Sequence, residues 1–231
     1  MNELDENISL LFGDPIVFCE HFIYPLTIRE IKKFKFSDFY SILYLLMSDE
    51  TDLEVVSDEH VREFDILFSN IIYNPDKLFS EKILFALSLM FKEEIGICES
   101  GIIVGDNFLL NADNYIRFVE IIKRQYCLKK EVKLASKNSK QDEYFKQLAK
   151  MRKKYENFIK TEDISDWISS VIAKHNNLDF IIIQDLTIYQ LINQFKRLNK
   201  IDDYFVSIEQ LLAGASSDEV KVIHWSKRLS D

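Results

Sequence analysis

The stretch SEKILFALSLMFKEEIGICESGIIVGDNFLL (residues 80–110) changes its hydrophobic period part-way along, and that change decides the fold class. From Ser80 to Ile95, the apolar residues Ile83, Leu84, Leu87, Met90 and Phe91 share one face at helical spacing, which predicts an amphipathic helix. Ile95-Gly96-Ile97-Cys98 and Gly101 to Leu110 then read as strands. Gly105-Asp106-Asn107 supplies a turn between Ile102-Ile103-Val104 and Phe108-Leu109-Leu110. Helices followed by a short meander point to an α+β domain.

The flanks extend this pattern. Upstream, Pro15 to Cys19 and Phe22-Ile23-Tyr24 predict a small hairpin closed by Pro25. Thr27-x-x-Glu30 is a capping box: the hydroxyl accepts from the third helical amide and the carboxylate accepts from the cap amide. The helix behind it carries Ile28, Ile31 and Phe34, and a second begins at Ser37 with Phe39, Leu43, Leu46 and Met47. Residues 48–60 are acidic and read as loop; Val61 to Tyr73 reads as a helix stopped by Asn74-Pro75. Downstream, Asn111 caps a helix through Ile116, Val119, Ile122 and Tyr126.

Residues 129–142 (KKEVKLASKNSKQD) have the basic, aromatic-poor composition of a linker. Tyr144, Leu148, Met151, Tyr155 and Phe158 follow at spacing 4, 3, 4, 3, a seam of only two heptads that a helix docking on the body explains equally well. Ile164, Trp167, Ile168, Val171 and Ile172 form an apolar stripe. Phe180-Ile181-Ile182-Ile183 reads as either a buried strand or a buried helical turn. Thr187-x-x-Gln190 is a second capping box, opening a helix with Ile188, Leu191, Ile192, Phe195 and Leu198. Tyr204 to Ala213 reads as a last helix with Gly214 at its end. The expected fold is therefore α+β and predominantly α-helical. Residues 1–128 form an N-terminal domain of short β-hairpins and helices, 129–142 a linker, and 143–231 a helical C-terminal domain with a Trp-containing tail.

Composition narrows the function. Five Gly and three Pro are too few for a turn-rich all-β fold or for phosphate-binding loops, whereas 18 Phe and 10 Tyr supply a large core. Three separated Cys suit a reducing compartment. The N-terminus is acidic, unlike a signal peptide, and no apolar run reaches the ~18 residues of a membrane span, so a soluble cytoplasmic protein is expected. Lys123 to Lys160 holds 13 Lys or Arg against 4 Asp or Glu, although the whole chain carries −9. A basic linker over an acidic body accounts for this without a ligand. A nucleic-acid accessory role for the 123–160 segment is the competing reading, opposed by an acidic body that would repel phosphates.

No metal, cofactor or catalytic site is expected. The four His (21, 60, 175 and 224) form no ligand motif, Cys19-x-His21 has no second pair near it, and no phosphate loop or nucleophile elbow occurs. Trp225 stands out in the tail beside His224 and Lys227. It would either latch back onto the C-terminal helices or anchor a partner, as Trp often does at interfaces. Tyr189 and Arg197 should lie off the buried stripe of their helix. Tyr189, Arg197, His224, Trp225 and Lys227 are thus the candidate protein-binding residues.

Four patches carry a family resemblance: Tyr24-Pro25-Leu26-Thr27-Ile28-x-Glu30-Ile31; Asn114-Tyr115 with Gln125-Tyr126-Cys127-Leu128; Asp185 to Leu191 with Phe195-Lys196-Arg197; and Ala213-Gly214-Ala215 with His224 to Lys227. Together they resemble tail-region proteins of bacteriophages of Gram-positive hosts, including tail assembly chaperones. The resemblance implies a non-enzymatic helical protein that holds the tape-measure protein while tail-tube subunits assemble. A structural tail or baseplate component is the alternative in the same region. Neither fixes the oligomeric state.

Overall fold

Helix caps and a few left-handed residues set the limits of each element. The computed structural model describes residues 3–47, 62–73, 76–128, 163–175, 177–216 and 220–227. Outside these lie the acidic 48–60 segment, the 129–142 linker and the Tyr144–Phe158 seam. In chain order the elements are α1 (Glu3–Phe12), β1 (Ile16–Phe18), β2 (His21–Ile23), α2 (Ile28–Ile31), α3 (Phe36–Leu46), α4 (Glu63–Tyr73), α5 (Lys77–Phe91), β3 (Ile95–Cys98), β4 (Gly101–Val104), β5 (Phe108–Leu110) and α6 (Ala112–Gln125). The C-terminal part adds α7 (Ile164–Lys174), a 3-10 turn (Ile182–Asp185) and α8 (Ile188–Leu212). The fold is α+β and predominantly helical.

The period switch falls where the sequence places it. Asp76 caps α5 by accepting from the Phe79 amide, and Lys92 ends the helix in the left-handed conformation (φ 55°). The meander β3-β4-β5 follows, antiparallel throughout, with Ile95 opposite Val104 and Ile102 opposite Leu110. Gly101 allows this packing: a Cβ there would sit 2.5 Å from the Leu110 carbonyl oxygen. The β1-β2 hairpin pairs Ile16 with Ile23 and turns at Cys19, whose φ of 54° is unusual for a residue with a Cβ.

The core is aromatic at its centre. Phe18 packs against Phe91, Phe108 and Phe118, and Phe118 in turn stacks on Phe91 and Tyr115. Two buried phenols are satisfied by main chain, Tyr115 donating to the Leu46 carbonyl and the Tyr126 oxygen accepting from the Leu26 amide. Burial pushes both phenols well above their ordinary pKa.

Helix α1 is not predicted by the sequence. Its Leu4, Ile8 and Leu11 face solvent, so the apolar spacing does not mark the buried side. What fixes it is Glu6, 5% exposed, whose carboxylate takes both the Arg117 guanidinium (2.5 Å) and that of Arg124. Leu10 completes the contact with the core.

Residues beyond α6 share this core. Val171, Ile183, Ile188 and Leu191 belong to the same apolar cluster as the N-terminal residues. An isolated antiparallel bridge joins Thr27 to Thr187, the Ile28 amide donates to the Leu186 carbonyl, and Gln190 reaches the Leu11 carbonyl.

Two expectations are corrected in this part. The helices expected at Leu186–Leu198 and Tyr204–Ala213 are one 25-residue helix, because nothing between Ile188 and Leu212 breaks it; no Gly or Pro intervenes. The Phe180–Ile183 run is neither a buried strand nor a buried helical turn. Only Ile183 is buried, while Phe180, Ile181 and Ile182 are 64%, 70% and 47% exposed. The Asp179 carboxylate accepts from the amides of Ile181 and Ile182, turning the chain so that a single apolar side chain points inward.

Candidate protein-binding surface

Helices α7 and α8 are set side by side by two contacts of equal offset. The Trp167 and Phe195 rings lie 6.0 Å apart, and Lys174 pairs with Asp202. Both pairs are separated by the same number of residues, so the helices run parallel. α7 ends level with Asp202. The last ten residues of α8 continue past it for roughly 15 Å.

This distal half exposes large apolar side chains: Phe205 at 57%, Val206 at 51% and Leu212 at 83%. The helix closes as expected at Gly214 (φ 98°), with the Ala213 and Gly214 amides donating to the Glu209 and Leu211 carbonyls.

The tail returns along α8. Arg197 Nη1 donates to the main-chain carbonyls of Trp225 (2.7 Å) and Lys227 (2.9 Å). The His224 ring meets Tyr204 edge-on at 5.2 Å and stacks on Trp225 at 5.3 Å; Tyr204 in turn meets Phe205 at 5.6 Å. Trp225 nonetheless remains 39% exposed, beside exposed Val222 and Ile223. The tail is thus clamped by its backbone and leaves its apolar side chains accessible.

Four of the five sequence candidates, Arg197, His224, Trp225 and Lys227, come together here. Tyr189 does not join them: it sits in the first turn of α8, half-buried against the core. Sequence reasoning missed Phe205, Val206 and Leu212, since a terminal amphipathic helix is expected to bury its stripe. It also missed Phe180 to Ile182, where Asp179 ahead of the run was the available turn signal.

That second apolar group lies beside α2. Arg29 binds Asp185 (2.8 Å) and Lys32 binds Gln184 (3.0 Å), which anchors the 3-10 turn to α2. The Arg29 hydrogen bond also holds the Asp185 carboxyl below its ordinary pKa.

Among the described residues no group of three or more His, Cys, Asp or Glu could hold a metal ion, and no helix is long and apolar enough to cross a membrane. One open concavity of about 390 Å³ is lined by Phe34, Leu78 and Phe85 together with Lys33, Lys35, Asp38, Glu81 and Lys82. In it Asp38 pairs with Lys82 at 2.6 Å, and that bond keeps the Asp38 carboxyl below its usual range.

Residues 152–230 match the YomV second domain family. That family is phage-associated, and the similarity associates this chain with bacteriophages. The matched segment contains α7, α8 and the clamped tail, the elements that carry the exposed surface. No curated protein and no solved structure matches the chain.

Proposed function

We propose that this protein is a non-enzymatic, protein-binding factor of bacteriophage tail morphogenesis, acting in the host cytoplasm as an assembly chaperone for the tape-measure protein. The observation that carries the binding reading is the distal half of α8. Phe205, Val206 and Leu212 are exposed along it and Trp225 on the tail that returns beside it, in a segment similar to a phage-associated domain. Several large apolar side chains left exposed on one helical segment support a protein-binding reading. The tail-assembly role rests on the four resembling patches, three of which include residues of the Thr27–Thr187 junction or the tail.

The test is co-expression of the tape-measure protein of the same phage with and without this chain. The expected result is a soluble complex that co-elutes on gel filtration, with the chain absent from purified virions by mass spectrometry. Equal tape-measure solubility without the chain overturns the chaperone role. Stoichiometric recovery of the chain from virions makes it a structural tail component instead.

A further inference from the structure

The exposed run Phe180-Ile181-Ile182 and the concavity lined by Phe34, Leu78 and Phe85 adjoin each other. Lys32 Nζ donates to the Gln184 side chain, in the turn that carries the run, and the next residue, Lys33, already lines the concavity. The run is a knob that the chain presents rather than buries. Asp179 fixes its backbone, and the Arg29–Asp185 and Lys32–Gln184 bonds tie it to α2. The concavity is its converse, a recess in which Leu78 and Phe85 remain 60% and 43% exposed. Its volume of about 390 Å³ exceeds the roughly 150 Å³ in which a benzene ring sits, so it has room for the Phe180 ring and a neighbouring Ile side chain.

Charge decides what kind of surface fits here. In the recess Lys33, Lys35 and Lys82 stand against Asp38 and Glu81. Around the knob Arg29 and Lys32 stand against Asp179 and Asp185. The patch is therefore nearly neutral, on a chain whose total charge is −9. It has no dominant sign with which to select a basic or an acidic partner, and none with which to repel a copy of itself.

From this pairing we infer that the patch takes a second copy of this chain. Two copies meet about a two-fold axis between knob and recess, each seating Phe180 and Ile181 in the recess of the other. Such an interface is self-complementary, which requires both halves of the contact on one chain and close together. Phe180, Ile181, Ile182, Leu78 and Phe85 offer roughly 500 Å² per copy, so reciprocal contact buries about 1,000 Å², the lower bound for a specific interface. The dimer is accordingly weak. It uses a surface other than distal α8 and does not depend on the tail-assembly reading.

The experiment is sedimentation equilibrium of the full chain over a range of concentrations. A monomer–dimer equilibrium is expected, with a Kd on the order of 10 μM. A knob variant, Phe180→Ser with Ile181→Ser, and a recess variant, Leu78→Arg, should each weaken it at least tenfold. All three residues are exposed, and circular dichroism melts check that both variants fold. The decisive step is to mix the two variants. The mixture keeps one intact contact, the knob of the recess variant in the recess of the knob variant, and should associate more tightly than either variant alone.

A wild-type chain that stays monomeric to about 200 μM overturns the inference, since even a minimal specific interface would associate below that. So does a dimer untouched by both variants, or a mixture no tighter than its components. Species that grow beyond the dimer would mean an open chain of copies and sink the two-fold arrangement. A photo-crosslinker at Ile181 tests the other occupants. Attachment to α5 of a second copy is expected, and attachment within the same chain, or to another protein in infected cells, would overturn the proposal.

Discussion

Thr27 and Thr187 face each other across an isolated antiparallel bridge, and each opens a helix with the same reciprocal cap. Thr27 accepts from the Glu30 amide while Glu30 accepts from the Thr27 amide at 2.8 Å; Thr187 and Gln190 repeat the exchange at the same 2.8 Å. The two helix starts therefore brace one another, joining residues before α6 to residues after it.

Thr187→Ala should destabilise the whole molecule rather than fray α8 alone. The lost cap is worth roughly 1 kcal/mol, and Thr187 is 3% exposed, so no water replaces its hydroxyl. A single cooperative thermal transition lowered by a few degrees is expected, with Thr187→Ser close to wild type. Two separated transitions would show that the bridge does not couple the two parts.

Glu6→Ala should be far more damaging than its place near the N-terminus suggests. It strips the shared acceptor from Arg117 and Arg124, which are 43% and 28% exposed at the side chain. Breaking such a pair costs about 3 kcal/mol, the lower end of the range for buried pairs because both cations keep some water. Asp185→Ala is the control: its bond to Arg29 is mostly solvated, and the melting temperature should not move.

Leu191→Ala should cost roughly 2–5 kcal/mol, since the side chain is fully buried and its cavity cannot fill with water. Phe195→Ala should cost less than the 3–5 kcal/mol typical of a buried Phe, about 2 kcal/mol, because its ring is only half covered, against Trp167. Chemical denaturation of the two variants ranks them, and a larger loss at Phe195 would mean that the α7–α8 contact outweighs the central core.

Local chemistry was legible in the sequence wherever it is self-contained. Both Thr capping boxes, the Asn111 cap, the Gly105 turn and the Gly214 helix stop depend on residues within a few positions of each other. The misses are tertiary. Helix α1 is held by a buried carboxylate and two distant arginines, which no periodicity reports. The exposure of Phe180 to Ile182 and of distal α8 depends on which neighbours fail to cover them. Arg197, His224, Trp225 and Lys227 could be picked out as candidates, yet the clamp linking them uses main-chain carbonyls and so leaves no trace in residue identity.

Alkaline pH should unfold the protein through its buried phenols. Burial raises the folded pKa of Tyr115 and Tyr126 above the unfolded value of about 10. Above that pH the unfolded chain releases protons that the folded one retains. The stabilisation is therefore complete below about pH 10 and falls as pH rises beyond it. Phenolate absorbance should show these tyrosines ionising only with loss of the native circular dichroism, and Tyr115→Phe with Tyr126→Phe should remove that late step. Their ionisation while the protein is still folded would contradict it.

Arg197→Ala should release the tail without unfolding the body. The expected signature, in a Trp167→Phe background, is a red shift of Trp225 emission and faster carboxypeptidase digestion at an unchanged melting temperature. Unchanged emission would mean that the His224 and Tyr204 ring contacts hold the tail by themselves.

The seam between α1 and α8, where Gln190 reaches the Leu11 carbonyl 179 positions away, also sets a timetable. At about 5–20 residues per second, the ribosome makes the second partner roughly ten to forty seconds after the first. Throughout that interval the nascent chain carries Leu10 and Ile28 without the Leu191 and Ile188 side chains that finish their core. Until α8 has emerged, the surface that Ile188 and Leu191 later cover stays open to water, so the N-terminal elements complete their core only at the end of synthesis.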